Sequence, residues 1–353
     1  MIRLLQFFGL GFVLLMMLNG LSWLIGDGGE QGRMQAALRE IEGRDAVTLG
    51  GSVGVGLRYP QMCVDGADFY WDGQDLFEVA AVADLILDQP APPRYWIVVA
   101  APTAQSYDNG ASASERGARR REFHRLLFRH GRFDMIGGDW RQVLVTALTP
   151  ALGYDAWGAR FHALLHRMGL RGPPKPPVDL AARDLRRLDP GAAASEAEAF
   201  TERQADHLER LEYYDGSIPR RAEQAMIRMN QRIEASGGTM ILVTPPMTEA
   251  VQESTVREMA DQVLGFEAML ARLAADGAVV SNHWRDPAFG RRYDLFADNQ
   301  HLNGAGAEAF SRLFAAELRD RGVLPAAACN HGQAAESTGF QTTSGHEMLA
   351  DVR

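Results

Sequence analysis

Cysteine is scarce in this chain of 353 residues: Cys63 and Cys329 are the two it has. Neither lies in a metal-type or redox-type spacing, which leaves a structural zinc site or a thiol-redox motif without support. The two are open to pairing in an oxidising compartment, but the plainer reading is one buried small hydrophobe and one thiol in the tail. An excess of basic charge is also missing. Lys and Arg number 36 against 45 Asp and Glu, for a formal net charge of -9 and a pI of about 5.5. No basic face for a nucleic acid is therefore expected. The glycines near residue 50 lack the Lys-Ser/Thr ending of a phosphate-cradling P-loop, and Gly51-Ser52-Val53-Gly54-Val55-Gly56 lacks the dinucleotide spacing. No internal repeat is found. At 46% hydrophobic and 23% charged the composition is that of a folded protein, long enough to bury a sizeable core.

Charge is absent from Leu4 to Ile25, where Phe, Leu, Met, Val and Ile dominate. A run of about twenty apolar residues suffices to span a bilayer as a helix. Arg3 precedes it and Asp27 and Glu30 follow, an asymmetry that favours the N-terminus inside. The run ends in Ser22-Trp23-Leu24-Ile25-Gly26-Asp27, a poor cleavage site and a good interfacial one. The expectation is a single uncleaved anchor over residues 1–28 in the inner (plasma) membrane, with the rest of the chain extracytoplasmic.

Beyond the anchor, Gln31 to Ile41 reads as a short polar helix leading away from the membrane. Apolar, β-branched runs at 45–50, 95–101, 240–244 and 278–281 read as buried strands, each stopped by glycine, proline or polar residues. Helical patterns fall at 76–87, 253–276 and 303–321. Strands alternating with helices predict an α/β fold with a doubly wound parallel sheet, its active site at the carboxyl ends of the strands. Residues 104–235 have a different texture, with Arg-rich amphipathic stretches and the breaker Arg171-Gly172-Pro173-Pro174-Lys175-Pro176-Pro177. This part reads as a helical insertion within a domain spanning 29–325. The basic run Arg119-Arg120-Arg121 is read as a solvated helix face. From residue 326 to 353 the chain is polar and aperiodic, the pattern of a disordered tail.

Two fragments carry candidate chemistry. Ser52 follows a strand end and two glycines, which let the backbone turn sharply and present the hydroxyl. A serine becomes a nucleophile when a neighbouring base takes its proton. Asp298-Asn299-Gln300-His301-Leu302-Asn303 precedes the last helix. An Asp three residues before a His is spaced to hold Nδ1–H and leave Nε2 as a proton acceptor. His162 and His166 share a helical face, but without a nearby carboxylate or cysteine they are read as incidental, so no metal and no cofactor is expected. His283 and Asp286 follow a strand and are candidates for the cleft wall or for a surface role.

Together, Gly50-Gly51-Ser52 and Asp298-x-x-His301-Leu302-Asn303-x-x-Gly306-Ala307 resemble the SGNH (GDSL-like) hydrolase superfamily. The likeness extends to its membrane-anchored branch, which includes alginate O-acetylation and teichoic acid D-alanyl transfer proteins. The resemblance implies an SGNH hydrolase-like fold with flavodoxin-like layering. It implies Ser52 as nucleophile, His301 as base and Asp298 as its orienting partner, with the backbone N–H groups of Ser52 and Gly73 as the oxyanion hole. Gly66 is the alternative to Gly73. Two positions depart from the family pattern. Gly51 stands where aspartate is usual, and Pro102-Thr103-Ala104 lacks the usual oxyanion asparagine, Asn109 being too far along to transfer. The function implied is a serine esterase or O-acyltransferase acting on an acylated carbohydrate or other cell-envelope polymer, beside a multi-spanning membrane O-acyltransferase. A catalytically silent accessory protein is the alternative from a different class, and a membrane-surface lysophospholipase or thioesterase a third.

Overall fold

The computed structural model describes residues 9–18, 20, 30–70, 73–110, 123–124, 126–132, 165, 168–170 and 180–326. Five strands form one parallel sheet: β1 (Ala46–Gly50), β2 (Gly66–Tyr70), β3 (Tyr95–Val99), β4 (Thr239–Thr244) and β5 (Val279–Asn282). Their order across the sheet is β2-β1-β3-β4-β5. Gly50 lies level with Tyr70 on one side and Val99 on the other, so the carboxyl ends of the first three strands align. All residues of β1 and β3 are buried, which is why these strands read as continuous apolar runs rather than alternating ones.

Side chains of alternate residues point to opposite faces, and each face has its own core. Trp96, Val98, Met240 and Leu242 pack with α1 (Glu30–Ile41), α3 (Leu76–Leu87), α6 (Ile218–Ala235) and α8 (Ala260–Ala275), following the short helix α2 (Tyr59–Met62) in the numbering. Ile97, Val99, Ile241 and Val243 pack on the other face against Phe310, Phe314 and Leu318 of α9 (Gly304–Asp320). Between β3 and β4 the described helices also include α4 (Leu180–Leu185) and α5 (Pro190–Asp215), and α7 (Glu249–Glu258) follows β4. The result is an α/β, doubly wound arrangement.

Several expectations change. The strand β2 was not anticipated; it is a short edge strand in which exposed Asp68 interrupts the buried Ala67 and Phe69. The stretch at 253–276 is two helices, broken at Met259, whose backbone (φ -136, ψ 42) is non-helical and whose side chain fills a small cluster with Leu208, Leu211 and Ile218. The helix α1 is no polar stalk: Met34, Leu38 and Ile41, spaced four and three apart, are buried in the first core. The end of the expected insertion, α6, is the crossover helix that covers the sheet through Ala222, Met226, Met229 and Ile233.

Among the described residues no helix is long and apolar enough to cross a membrane. Residues 9–18 are helical, with Leu10, Phe12, Leu14 and Met17 exposed, and much of the remaining apolar run lies outside the described residues. Cys63 is disulfide-bonded, contrary to the reading of it as a small core hydrophobe. It ends α2 in the left-handed conformation and is only half-buried. Cys329, the tail from 327, His162, His166 and Arg119-Arg120-Arg121 lie outside the described residues.

Candidate active site

The chain leaves β1 for β2 on one side of it and returns to β3 on the other. The crevice between the carboxyl ends of β1 and β3 is the topological switch point, where sheets of this order bind ligands. The turn into it is fixed by Gly50. Its φ is +130, and a Cβ there would lie 2.1 Å from the Val99 carbonyl oxygen, so no side chain fits. The Gly50 N–H donates to Gln74 Oε1 at 3.1 Å. Ser52 then opens a 3₁₀ turn, Ser52–Gly56, which places its N–H among the groups that a helical turn leaves without an internal acceptor.

The second element arrives from the far end of the chain. The loop before α9 is closed by an antiparallel bridge between Phe296 and Leu302 and by Ala297 N–H donating to the His301 carbonyl at 2.8 Å. Asn303 caps α9, accepting from Gly306 N–H at 3.1 Å, while its Nδ2 donates to the carbonyls of Asp294 at 2.7 Å and Arg186 at 3.1 Å. Asn299 is buried and donates to the Ala193 carbonyl at 2.9 Å; its Oδ1 accepts from Thr248 Oγ1 at 2.6 Å. The motif is thus a clamp in which asparagines on both sides of the histidine pin the loop to neighbouring helices.

This clamp brings Ser52 and His301, 249 positions apart, into contact. Ser52 Oγ lies 2.8 Å from His301 Nε2. His301 Nδ1 lies 2.8 and 2.9 Å from the two oxygens of Asp298. A carboxylate accepts only, so Nδ1 carries the proton and Nε2 is left to accept from the Ser52 hydroxyl. Burial pushes the Asp298 carboxyl up, but this is outweighed by the hydrogen bond and charge of His301 and by the N–H groups of Gln300 and His301, leaving it at about 2. The pieces of a proton relay from serine through imidazole to carboxylate are therefore in line.

Ser52 and His301 face a cavity of about 490 Å³. Gly73 lies in its wall, and a Cβ built on Gly51 would sit 3.9 Å from the Gly73 nitrogen, so the strap at Gly73 runs beside the Ser52 turn. The strap is itself held. Asn109 is buried and its Nδ2 donates to the Gly73 carbonyl at 2.9 Å and to Glu78 Oε2 at 3.0 Å, and its N–H donates to Asp75 Oδ2 at 2.6 Å. Asp75 caps α3 in a reciprocal box with Glu78. The asparagine absent after β3 is therefore not supplied by Asn109, which serves the strap; Thr103 occupies the cavity wall there. Gly66, the alternative to Gly73, pairs with Ala46 at the amino end of the sheet, the wrong end for Ser52.

His283 and Asp286 are not in the wall of this cavity. They form a separate cluster beyond β5: Ser281 Oγ is 2.8 Å from His283 Nε2, and His283 Nδ1 is 3.3 Å from Asp286 Oδ2. The likeness to a second relay fails on Glu317, whose Oε2 lies 2.6 Å from Ser281 Oγ and 2.8 Å from His283 Nε2 and so competes for the serine proton. Ser281 is also buried. The far wall of the cavity was not foreseen. Phe200, Arg203, Gln204 and His207 of α5 line it, with the Tyr107 ring stacked on that of His207 at 5.9 Å between centroids. Their spacing of three, four and seven residues marks one helical face, the single signal in the sequence that groups them.

No family model and no curated protein matches the chain. Among solved structures, protein YxiM from Bacillus subtilis is similar with a TM-score of 0.36 and 13% identity, over 80% of this chain and 58% of that one. The chain thus spans less than two thirds of that protein, and the case for the site rests on its own geometry.

Proposed function

We propose that the chain is a serine esterase or O-acyltransferase of the SGNH type, acting on acyl esters of a cell-envelope polysaccharide or related polymer. The observation that carries this reading is the line Ser52 Oγ, His301 Nε2, His301 Nδ1, Asp298, opening on a cavity of about 490 Å³. As His301 takes its proton, Ser52 Oγ bonds to the acyl carbon and the carbonyl electrons move onto oxygen. The N–H groups of Ser52 and Gly73 are the proposed donors to that oxygen; one such donor contributes about 2.7–4 kcal/mol to the transition state. Collapse expels the alcohol, which leaves with the proton from His301, and the acyl group stays on Ser52 until water or a sugar hydroxyl removes it by the reverse proton path.

The same reading places the chain as a single-pass, extracytoplasmic protein of the inner membrane, beside a multi-spanning O-acyltransferase. The uncharged run Leu4 to Ile25 and the disulfide at Cys63 support this, since disulfides persist in oxidising compartments. Fractionation and protease protection of tagged cells test it: a membrane pellet with the domain cleaved from outside is expected, and a cytosolic chain refutes it. For the chemistry, purified protein should hydrolyse p-nitrophenyl acetate, and Ser52→Ala should lower kcat by at least about 10³-fold. Equal rates for the two proteins sink the catalytic claim. A second reading, a silent accessory, is favoured by the commitment of Asn109 to the Gly73 strap, which leaves the third oxyanion donor unfilled by asparagine. A Ser52→Ala copy that fully restores polymer acylation in cells would select it.

A further inference from the structure

The wall of the cavity carries a cation that has no ion-pair partner among the described residues. Arg203, on the face of α5 that includes Phe200, Gln204 and His207, is exposed, lines the same cavity as Ser52 and makes no ion pair or hydrogen bond among the described residues. Arg221 is tied to Asp108 and Asp215, Arg257 to Glu198 and Arg291 to Glu249, whereas Arg186, Arg220 and Arg228, like Arg203, make no ion pair among the described residues; Arg203 differs from these in lining the cavity. The cavity itself offers one carboxyl, that of Asp75. It is buried, accepts from the N–H groups of Glu78 and Asn109, and is pushed well up by burial and then by the neighbouring Glu78. Both of its oxygens are engaged by backbone donors, and it makes no ion pair with Arg203. A chain of net charge -9 thus presents an exposed positive group in the lining of its candidate active site. Beside it Phe200 offers a ring face and Gln204 a hydrogen-bonding group, while the Tyr107 and His207 rings stack on each other at 5.9 Å between centroids.

Resting on the esterase or transferase reading above, we propose that this face of α5 is an anion subsite, in which Arg203 binds a carboxylate or phosphate carried on the alcohol side of the acyl ester. A guanidinium presents paired N–H donors that match both groups. Arg203 is a specificity residue and takes no part in the bond-making steps.

The test uses the full chain and three acetate esters: 4-acetoxybenzoate, its neutral methyl ester, and 4-acetoxyphenyl phosphate. The preference is the ratio of kcat/KM for each anion to that for the methyl ester. Arg203→Gln is expected to cut this ratio about tenfold, mainly through KM, while the methyl ester is turned over within twofold of wild type. Arg203→Lys should recover part of the ratio, and added salt should erode it in wild type but not in Arg203→Gln. The anion with the larger loss identifies carboxylate or phosphate as the group bound. A ratio unchanged by Arg203→Gln overturns the proposal. A binding arm keeps the two readings separate: 4-hydroxybenzoate should bind Ser52→Ala protein about tenfold more tightly than it binds the Ser52→Ala/Arg203→Gln double variant. If no ester is hydrolysed but this difference holds, the catalytic reading fails and the subsite stands. The same comparison is made with 4-hydroxyphenyl phosphate, and if binding of both anions is the same in the two proteins, the subsite fails whatever the esters show.

Discussion

At Asp298 three donors converge on Oδ1: the N–H of Gln300 at 3.0 Å, that of His301 at 3.0 Å, and His301 Nδ1 at 2.8 Å. These hold the carboxylate ionised to about pH 2, so an acid limb of activity above pH 4 reports some other group. Asp298→Asn should preserve the loop but let the imidazole take the wrong tautomer, lowering kcat by about 10³–10⁴-fold with little change in KM. The carboxyl is depressed from 3.8 in the folded state, so the unfolded chain binds the proton more readily. Its stabilising contribution is present above pH 4 and lost as pH falls towards 2. The stability gap between wild type and Asp298→Asn, from urea titrations, should therefore narrow over that window; a gap that widens on acidification contradicts the assignment. Both ends of this relay were legible in the sequence, because a serine after two glycines and a histidine three residues after an aspartate are local patterns. The partners of Asn109 were not, since its bonds to Gly73 and Glu78 span 36 and 31 positions.

At the scale of elements, the turn after β1 depends on one residue without a side chain. Gly50→Ala would place a methyl against the Val99 carbonyl and force a residue into φ +130. A loss of about 2–5 kcal/mol is expected, read as a lower urea midpoint at unchanged slope; a midpoint within error of wild type would show that the β1–β3 contact yields. The strands β1, β3 and β4 were readable because burial on both faces leaves unbroken apolar runs. The edge strand β2 was not, since Asp68 breaks its run. The break at Met259 escaped notice because apolar spacing continues through it, and tertiary contacts with Leu208, Leu211 and Ile218 decide its backbone. Likewise the cavity face of α5 looks like any amphipathic helix until topology brings it into the same cavity as Ser52.

The whole molecule joins two chain ends across a parallel sheet: Ser52 after the first strand, His301 before the last helix, and the wall of α5 between them in sequence. The disulfide at Cys63 predicts that unreduced, denatured full-length protein gives no thiol with Ellman's reagent; two thiols per chain would contradict it and weaken the extracytoplasmic placement. The proposed acyl transfer on an envelope polymer belongs to this scale, and it depends on Ser52 being a nucleophile. Labelling the full chain with a fluorophosphonate and mapping the modified peptide by mass spectrometry tests that point. The expected result is one adduct per chain, on Ser52, lost in Ser52→Ala and strongly slowed in His301→Ala. An unlabelled protein, or an adduct that survives Ser52→Ala, would contradict it.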